Sequence, residues 1–187
     1  MEYFELLKRR RSVRLFLPQP VEPEKLQAIL EAANIAPSAG NLQSYEIYLV
    51  TDPARLSTLA RASLDQDFIA QAPLALVFCA NPGRAVGKYG ARGTRLYCLQ
   101  DATIACAYAQ LALTALGLAS VWVGAFRDDE VRRAIEVGEE LIPIAILPIG
   151  YPAEAPEARG RRPLTDLVHR LTISESSLPR RNSVRRS

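Results

Sequence analysis

Residues 102–126, ATIACAYAQLALTALGLASVWVGAF, form an apolar run that contains no charged residue. The run is long enough to span a bilayer, but polar side chains interrupt it at Thr103, Gln110 and Thr114. Gly117 stands where a helix would end, and the VWV run that follows is typical of a β-strand. The segment therefore predicts a buried helix followed by a strand, and not a membrane span.

The predicted helix extends back to Arg95 and ends at Leu116, which makes it the longest helix of the chain. Alanine recurs along it, so a second helix can approach it closely. Because it has almost no charged face, burial on most sides is expected. In a domain of this size, that burial can require a second subunit.

Around this helix, the pattern of apolar residues predicts one globular domain of helices and strands. Helices are expected at 3–10, 23–34, 53–62 and 129–137, and strands at 45–50, 74–79, 120–124 and 142–149. The strand 74–79 is apolar on both faces, which is typical of the centre of a sheet. Residues 81–94 contain four glycines and are predicted to form a long flexible loop.

The net charge of +3 belongs to the C-terminal end of the chain. After His169 there are five arginines and one glutamate, whereas residues 1–169 carry 18 basic and 19 acidic side chains. We therefore expect a single domain at 1–169 and a basic, disordered tail at 170–187. Such a tail is more often solvated than bound to an acidic surface, so no nucleic-acid partner is expected.

The chain has few groups that could perform catalysis. Three cysteines lie in apolar runs without CxxC spacing, which indicates reduced core residues of a cytoplasmic protein. His169 is the only histidine, near the end of a predicted apolar helix, so a histidine-based zinc site or a nucleophile–histidine pair elsewhere is excluded. The N-terminus is acidic and does not resemble a signal peptide. We expect no metal site and no membrane partner.

Three polar segments could hold an anion: RRSVR at 10–14, PSAGNLQ at 37–43 and RGRRP at 159–163. Clustered arginines repel each other unless an anion or carboxylates lie among them. A solvated basic surface and a helix cap followed by a turn are the ordinary alternatives for the first two segments. The segment GRAVGKY at 83–89 does not match a phosphate loop, and no GxGxxG motif follows a strand. A mononucleotide is therefore a better candidate ligand than a dinucleotide cofactor.

In their order and spacing, these segments together with LGLASVWVGAF at 116–126 and ILPIGYP at 146–152 resemble the FMN-dependent nitroreductase superfamily. The resemblance extends from about residue 3 to about residue 169. It implies an α+β fold with a mixed central sheet flanked by helices, and a homodimer with the long buried helix at its interface. One departure is visible: Ser44-Tyr45 stands where the family usually has Pro-Trp.

The resemblance also implies which residues contact FMN. The phosphate and ribityl contacts would come from Arg10, Arg11, Ser12 and Arg14, with Arg159 and Arg161 as a late basic pair. The loop bordering the flavin, supplied by the other subunit, would contribute Pro37, Ser38, Ala39, Asn41 and Gln43. Val123 and Gly124 match the backbone contact to the isoalloxazine ring.

The activity implied by the resemblance is transfer of hydride from NAD(P)H through FMN to electron-poor acceptors (nitroaromatics, quinones or activated enones) by a ping-pong mechanism. The flavin carries the chemistry, so no catalytic side chain is expected. Tyr89 is a candidate substrate contact, with an ordinary surface tyrosine as the alternative. Two other readings remain open: a flavin-binding protein without turnover, and a branch of the superfamily with another flavin reaction, such as dehalogenation, flavin fragmentation or azoline oxidation.

Overall fold

A computed structural model describes residues 2–171 of the chain. Its helices are α1 (Tyr3–Arg9), α2 (Pro23–Asn34), α3 (Pro53–Ala62), α4 (Phe68–Gln71), α5 (Pro82–Arg92), α6 (Cys98–Ala115), α7 (Asp128–Ala134) and α8 (Leu164–Leu167). Its strands are β1 (Tyr45–Val50), β2 (Leu74–Ala80), β3 (Ala119–Ser120) and β4 (Ile142–Gly150). A 3-10 turn covers Ala39–Asn41 and a π-helical turn covers Gly93–Tyr97.

The four strands form one sheet in the order β1-β2-β4-β3, with antiparallel neighbours. Every residue of β2 is buried, which confirms the central strand predicted from its apolar faces. A parallel bridge between Ser12 and Ser120 adds the segment after α1 to the edge of the sheet. Antiparallel and parallel pairing thus occur together in an α+β fold.

Helices cover both faces of the sheet, because side chains of successive strand residues point to opposite sides. On one face, Leu76, Phe78 and Leu147 pack in a core that includes residues of α2 and α6. On the other face, Val77 and Ile146 pack in a core with residues of α3, α4 and α7. The two cores therefore lie on opposite faces of β2 and β4.

Helix α6 is the long helix predicted from the apolar run. Its small residues Ala102, Ala105 and Ala109 are fully buried, which allows α2 and the sheet to pack closely against it. The strand predicted after it is shorter than expected. Only Ala119–Ser120 forms a ladder with β4, and Val123 makes a single bridge to Ile146 further along.

The flexible loop predicted at 81–94 is wrong, since these residues form α5 and the start of the π-helical turn. Pro82 lies at the first turn, where its missing N–H costs nothing, and Ala85 is buried under the helix. Gly90 has a φ of 52°, which kinks α5 near its end. At Gly93 a Cβ atom would lie 2.7 Å from the carbonyl oxygen of Ala85. This glycine therefore allows the two helical segments to pack closely.

The chain divides by its internal contacts into one unit up to Glu157 and a second from Ala158 onward. In the second unit α8 ends at Leu167, so His169 lies after a short exposed helix and not near the end of an apolar one. The predicted tail lies outside the described residues from 172 onward, and the domain boundary at 169 stays a prediction. Within residues 2–171, no helix combines the length and apolarity needed to cross a membrane.

Candidate functional site

The arginine segment begins where α1 ends and runs along the edge of the sheet. The Arg10 N–H donates to the carbonyl of Leu6 at 3.1 Å, which closes the helix. The Val13 N–H donates to the carbonyl of Ser120 at 3.1 Å. The fold thus brings Ser12 beside Ser120, only a few residues from the predicted ring contacts at 123–124.

The arginines of this segment do not share one face. Arg11 and Val13 line a cavity of about 290 Å³ together with Arg9 and Glu154. The Arg11 guanidinium donates to the carbonyls of Lys8 and Arg10, the latter at 3.0 Å. Arg14 lies elsewhere, with its guanidinium carbon 5.9 Å from the centroid of the Phe68 ring.

Glu154 fixes the backbone where this segment ends. Its Oε1 atom accepts hydrogen bonds from the backbone N–H groups of Arg14 at 2.5 Å and Leu15 at 3.2 Å. Two further backbone bonds join Leu15 and Leu17 to residues just after β4. The predicted phosphate contacts are therefore attached by backbone hydrogen bonds to the segment that follows β4.

The predicted ring contacts lie on the adjoining turn after β3. Val123 is buried and exchanges two backbone hydrogen bonds of 3.0 Å with Ile146. Gly124 is exposed, and a Cβ there would have only the Trp122 ring within 4 Å. The backbone at Gly124 is accessible to a ligand, whereas the side chain of Val123 belongs to the core.

The loop at 37–43 has a strained and internally bonded backbone. Gly40, Asn41 and Gln43 all have positive φ angles, of 56°, 59° and 43°. Ser38 Oγ accepts from the Gln43 N–H at 3.0 Å. The Gln43 amide in turn donates to the carbonyl oxygen of Asn41 at 2.6 Å and to its Oδ1 at 2.7 Å. The predicted polar contacts thus form one small network, with Pro37 exposed before it.

Asp101 holds this loop against the first turn of α6. Its carboxylate is 2% exposed and accepts the Ala39 N–H at 2.8 Å and the Ser44 N–H at 3.3 Å. The buried Ser44 hydroxyl also donates to it. Ser44, which stands where the family usually has proline, therefore contributes two donors to this carboxylate.

Asp101 was not predicted from the sequence, although a signal was present. It is the only acidic residue between Asp67 and Asp128, and it directly precedes the uncharged run 102–126. An isolated acidic residue at the edge of an apolar helix is expected to be paired when it is buried. Its partners, however, lie about 60 residues away along the chain, so the sequence does not show them.

Helix α5 covers the other side of the loop. The Arg84 guanidinium donates twice to the carbonyl of Leu42, and Lys88 Nζ lies 3.4 Å from the carbonyl oxygen of Gly40. Tyr89 packs edge-on against the ring of Tyr97, with 5.0 Å between the centroids. A Cβ at Gly40 would lie 2.4 Å from the Tyr89 hydroxyl. Tyr89 is thus next to the predicted flavin loop, and its contact with substrate stays a prediction.

The flavin loop contacts α6 directly, whereas the arginine segment is connected to this helix through Ser120. The loop is bonded to Asp101, whereas Ser120 Oγ lies 3.5 Å from the side chain amide of Gln110. Nine residues of helix separate these two positions, about 14 Å of rise. Arg159 and Arg161 belong to the second unit, where the Arg161 guanidinium lies 3.3 Å from the Gly160 carbonyl.

The cysteines are confirmed as buried residues of the core. Burial raises the pKa of the Cys79 thiol to about 12 and raises the pKa values of Cys98 and Cys106 as well. A thiolate is therefore disfavoured at all three positions near neutral pH. Among residues 2–171, no group of three His, Cys, Asp or Glu side chains could hold a metal ion.

A model of the nitroreductase family matches residues 7–66 and 58–151, which together cover most of the chain. The chain belongs to the nitroreductase family. It is 31% identical to the FMN reductase [NAD(P)H] of Bacillus subtilis, over 91% of this chain and 74% of that protein. It is 32% identical to the NADH dehydrogenase of Thermus thermophilus, over 86% of this chain and 91% of the relative.

Solved structures support the same assignment. The NADPH:FMN oxidoreductase of Vibrio harveyi, complexed with NAD⁺, superimposes with a TM-score of 0.83 and 26% identity. That alignment covers 92% of this chain and 78% of the Vibrio chain. The nitroreductase resemblance and the α+β fold predicted from the sequence are therefore confirmed.

Proposed function

We propose that this nitroreductase is an FMN-dependent oxidoreductase that takes hydride from NAD(P)H and reduces electron-poor acceptors such as nitroaromatics, quinones or activated enones. The observation that carries the proposal is the Ser12–Ser120 pairing, which brings the arginine segment beside β3, four residues before the exposed Gly124. The relatives support it, since one is named an FMN reductase and another an NADPH-flavin oxidoreductase.

The donors on this part of the fold fit FMN. A phosphate monoester requires cations and short hydrogen-bond donors, and Arg10, Ser12 and Arg14 lie within five residues of one segment. A flavin ring requires polar groups along its edge, which the exposed backbone at Gly124 can supply. Arg11 faces the neighbouring cavity, so we assign its guanidinium mainly to closing the end of α1.

FMN, when bound, supplies the hydride chemistry between NAD(P)H and the acceptor. The residues of the chain bind FMN, orient its ring and shield it from solvent. Asp101 fixes the loop whose Asn41 side-chain amide is the candidate donor toward the flavin, because the Gln43 amide already donates twice to Asn41. Tyr89 and Tyr97 form an aromatic wall beside that loop. A histidine or cysteine catalyst is not required, because transfer between stacked rings depends on proximity and orientation.

We also propose that the active form is a homodimer. In one chain the flavin loop is bonded to the first turn of α6, whereas the arginine segment pairs with Ser120, which lies beyond the end of this helix. A second chain packed antiparallel along α6 would bring the loop of one subunit toward the arginine segment of the other. The exposed side of α6, which includes Tyr108 at 39% exposure, offers an apolar surface for that contact. The helix has many small residues, so two copies can pack closely.

The proposal is tested by absorption spectroscopy on the purified protein. It should be yellow, release FMN on denaturation, lose its visible absorbance when NADH or NADPH is added anaerobically, and regain it with menadione or a nitrofuran. Arg10→Ala should weaken FMN binding about tenfold or more, since a charge-assisted hydrogen bond is lost.

The same measurements separate the alternatives. A protein that binds FMN but is not bleached by either nicotinamide would be a flavin-binding protein without this activity. A colourless protein that FMN cannot reconstitute would rule out the cofactor assignment. Arg161→Ala tests the predicted late phosphate contact, and an unchanged FMN affinity would remove it from the site.

A further inference from the structure

Helix α5 carries three exposed cations. Residues 68–100 contain Arg84, Lys88, Arg92 and Arg95 and no acidic residue, although residues 1–169 are nearly neutral as a whole. Arg84 and Lys88 are one helical turn apart, so they lie one above the other on α5, and Arg92 follows four residues later, beyond the kink at Gly90. We call Arg84, Lys88 and Arg92 the basic row. All three residues are exposed.

The basic row has neutral partners. Arg84 donates to the carbonyl of Leu42, Lys88 lies near that of Gly40, and Arg92 Nε donates to the Tyr97 hydroxyl at 2.9 Å. Within residues 2–171, no ion pair includes a member of the row. Like charges one turn apart on a helix repel each other. An anion that spans the row would remove this repulsion and gain charge-assisted hydrogen bonds.

The surroundings of the row suit a nucleotide. Its helical part, from Arg84 to Lys88, rises about 6 Å, which is short for a nucleic-acid backbone but sufficient for one or two phosphate groups, and Arg92 follows beyond the kink at Gly90. Tyr89 directly follows Lys88 in the sequence, and Tyr97, whose ring packs against it, lies five residues after Arg92. Tyr97 also lines an open, mainly apolar groove of about 580 Å³ together with Leu99 and the loop residues 37–39. Phosphates and flat rings could therefore be bound side by side.

We propose that the basic row binds the phosphate groups of the reduced pyridine nucleotide and so determines its affinity and the choice between NADH and NADPH. This inference rests on the proposed function. It adds a binding site on α5 to the predicted flavin contacts. The charge of the row would act on binding of the nucleotide and not on the hydride transfer itself.

The test is equilibrium binding to the oxidised holoenzyme. Titration calorimetry with NADP⁺ and NAD⁺ at low salt should show that Lys88→Ala and Arg92→Ala each weaken binding about tenfold, whereas Lys88→Arg largely restores it. The matched control is Arg61→Ala, which removes the same charge from α3 and should leave binding unchanged. Steady-state KM for the nucleotide should rise in parallel, with little change in kcat or FMN content.

The outcomes are distinct. Weaker binding of NADP⁺ alone would place its additional phosphate on the row, and weaker binding of both nucleotides would place the diphosphate there. Both results support the proposal. Binding indistinguishable from Arg61→Ala, or an effect limited to the KM of an anionic acceptor, would overturn it. If an alanine variant does not fold, Lys88→Gln and Arg92→Gln are measured instead. If neither NADH nor NADPH reduced the wild-type protein, the proposed function would be contradicted. That result does not depend on the variants.

Discussion

At the scale of single residues, the buried carboxylate of Asp101 decides where the flavin loop lies. It accepts hydrogen bonds from two backbone N–H groups and from the Ser44 hydroxyl. These donors would be left unsatisfied without it, and an unsatisfied buried polar group costs about 1–3 kcal/mol. Because the loop has three residues with positive φ, it depends on such external bonds to keep its conformation.

Asp101→Asn should therefore lower both stability and cofactor affinity. We expect a loss of about 2 kcal/mol in the free energy of unfolding, because one charge-assisted acceptor is replaced by an amide. FMN affinity, measured by flavin fluorescence, should fall about tenfold as the loop loosens. Ser44→Ala should show a smaller loss in the same direction.

Glu139→Gln is the control for this change, since it removes a negative charge from an exposed position. It should leave both stability and FMN binding close to wild type. If Asp101→Asn lowered the melting temperature but retained full FMN affinity, Asp101 would stabilise the fold without positioning the flavin loop.

At the scale of elements, α5 and α6 are joined through a tightly packed π-helical turn. Gly93 is buried in it, and a Cβ atom there would lie 2.7 Å from the Ala85 carbonyl oxygen and 2.9 Å from the Cβ of Tyr89. By contrast, Gly87 lies on the open side of α5, where a Cβ would have nothing within 4 Å. Close packing therefore requires glycine at position 93, whereas position 87 has space for a side chain.

Alanine substitutions at these two positions should have opposite effects. Gly93→Ala should destabilise the protein by about 1–3 kcal/mol, because the backbone has to move. Gly87→Ala should stabilise it by about 0.5–1 kcal/mol, because alanine favours helix. Chemical denaturation measures both values. Equal effects of the two substitutions would contradict the close packing at the turn.

A polar cluster connects α2 to the residue after β4. The Tyr151 hydroxyl lies 2.7 Å from both carboxylate oxygens of Glu22 and 2.5 Å from Lys25 Nζ. The hydrogen bond from Tyr151 lowers the pKa of Glu22 below its ordinary value of 4.5, and the contact with Tyr151 raises the pKa of Lys25 above 10.5. Ionised Glu22 thus favours the folded state above pH 4.5, and protonated Lys25 favours it below pH 10.5.

Tyr151→Phe should therefore lower the melting temperature by about 2 °C at neutral pH. The difference from wild type should shrink as the pH falls below about 4.5, because Glu22 is then protonated in both states. Calorimetry between pH 3 and 8 measures this, with Tyr3→Phe as the control for loss of an exposed hydroxyl. A difference that did not change with pH would show that the ionised cluster contributes nothing.

At the scale of the whole molecule, we propose that a second chain brings the two groups of predicted flavin contacts together. In the described residues, the loop is bonded to the first turn of α6 and the arginine segment runs beside residues that follow its end. Assembly and cofactor binding should therefore depend on each other. A change on the exposed side of α6 should affect both.

Light scattering should give a mass of about 41 kDa, twice the chain mass of 20.6 kDa. Tyr108→Glu places a charge on the exposed side of α6 and should shift the protein toward monomer and weaken FMN binding together. Tyr3→Glu, an exposed change on α1, is the control. A monomer that retains full FMN affinity would contradict the shared site.

The sequence by itself determined what local patterns encode: the buried run of β2, the alanine-rich helix α6, the buried cysteines, and the motifs that resemble nitroreductases. The sequence did not predict α5, because its four glycines indicated a loop. Burial of Ala85 and close packing at Gly93 stabilise a helix there instead.

Only the tertiary structure paired Asp101 with a loop some 60 residues away, separated Arg11 from Ser12, and placed Lys88 beside Gly40. The physical reason is the separation along the sequence of the residues that interact. Helix and strand periodicity depends on neighbours a few residues apart, whereas a buried carboxylate or an anion site depends on donors that only the packed chain brings together.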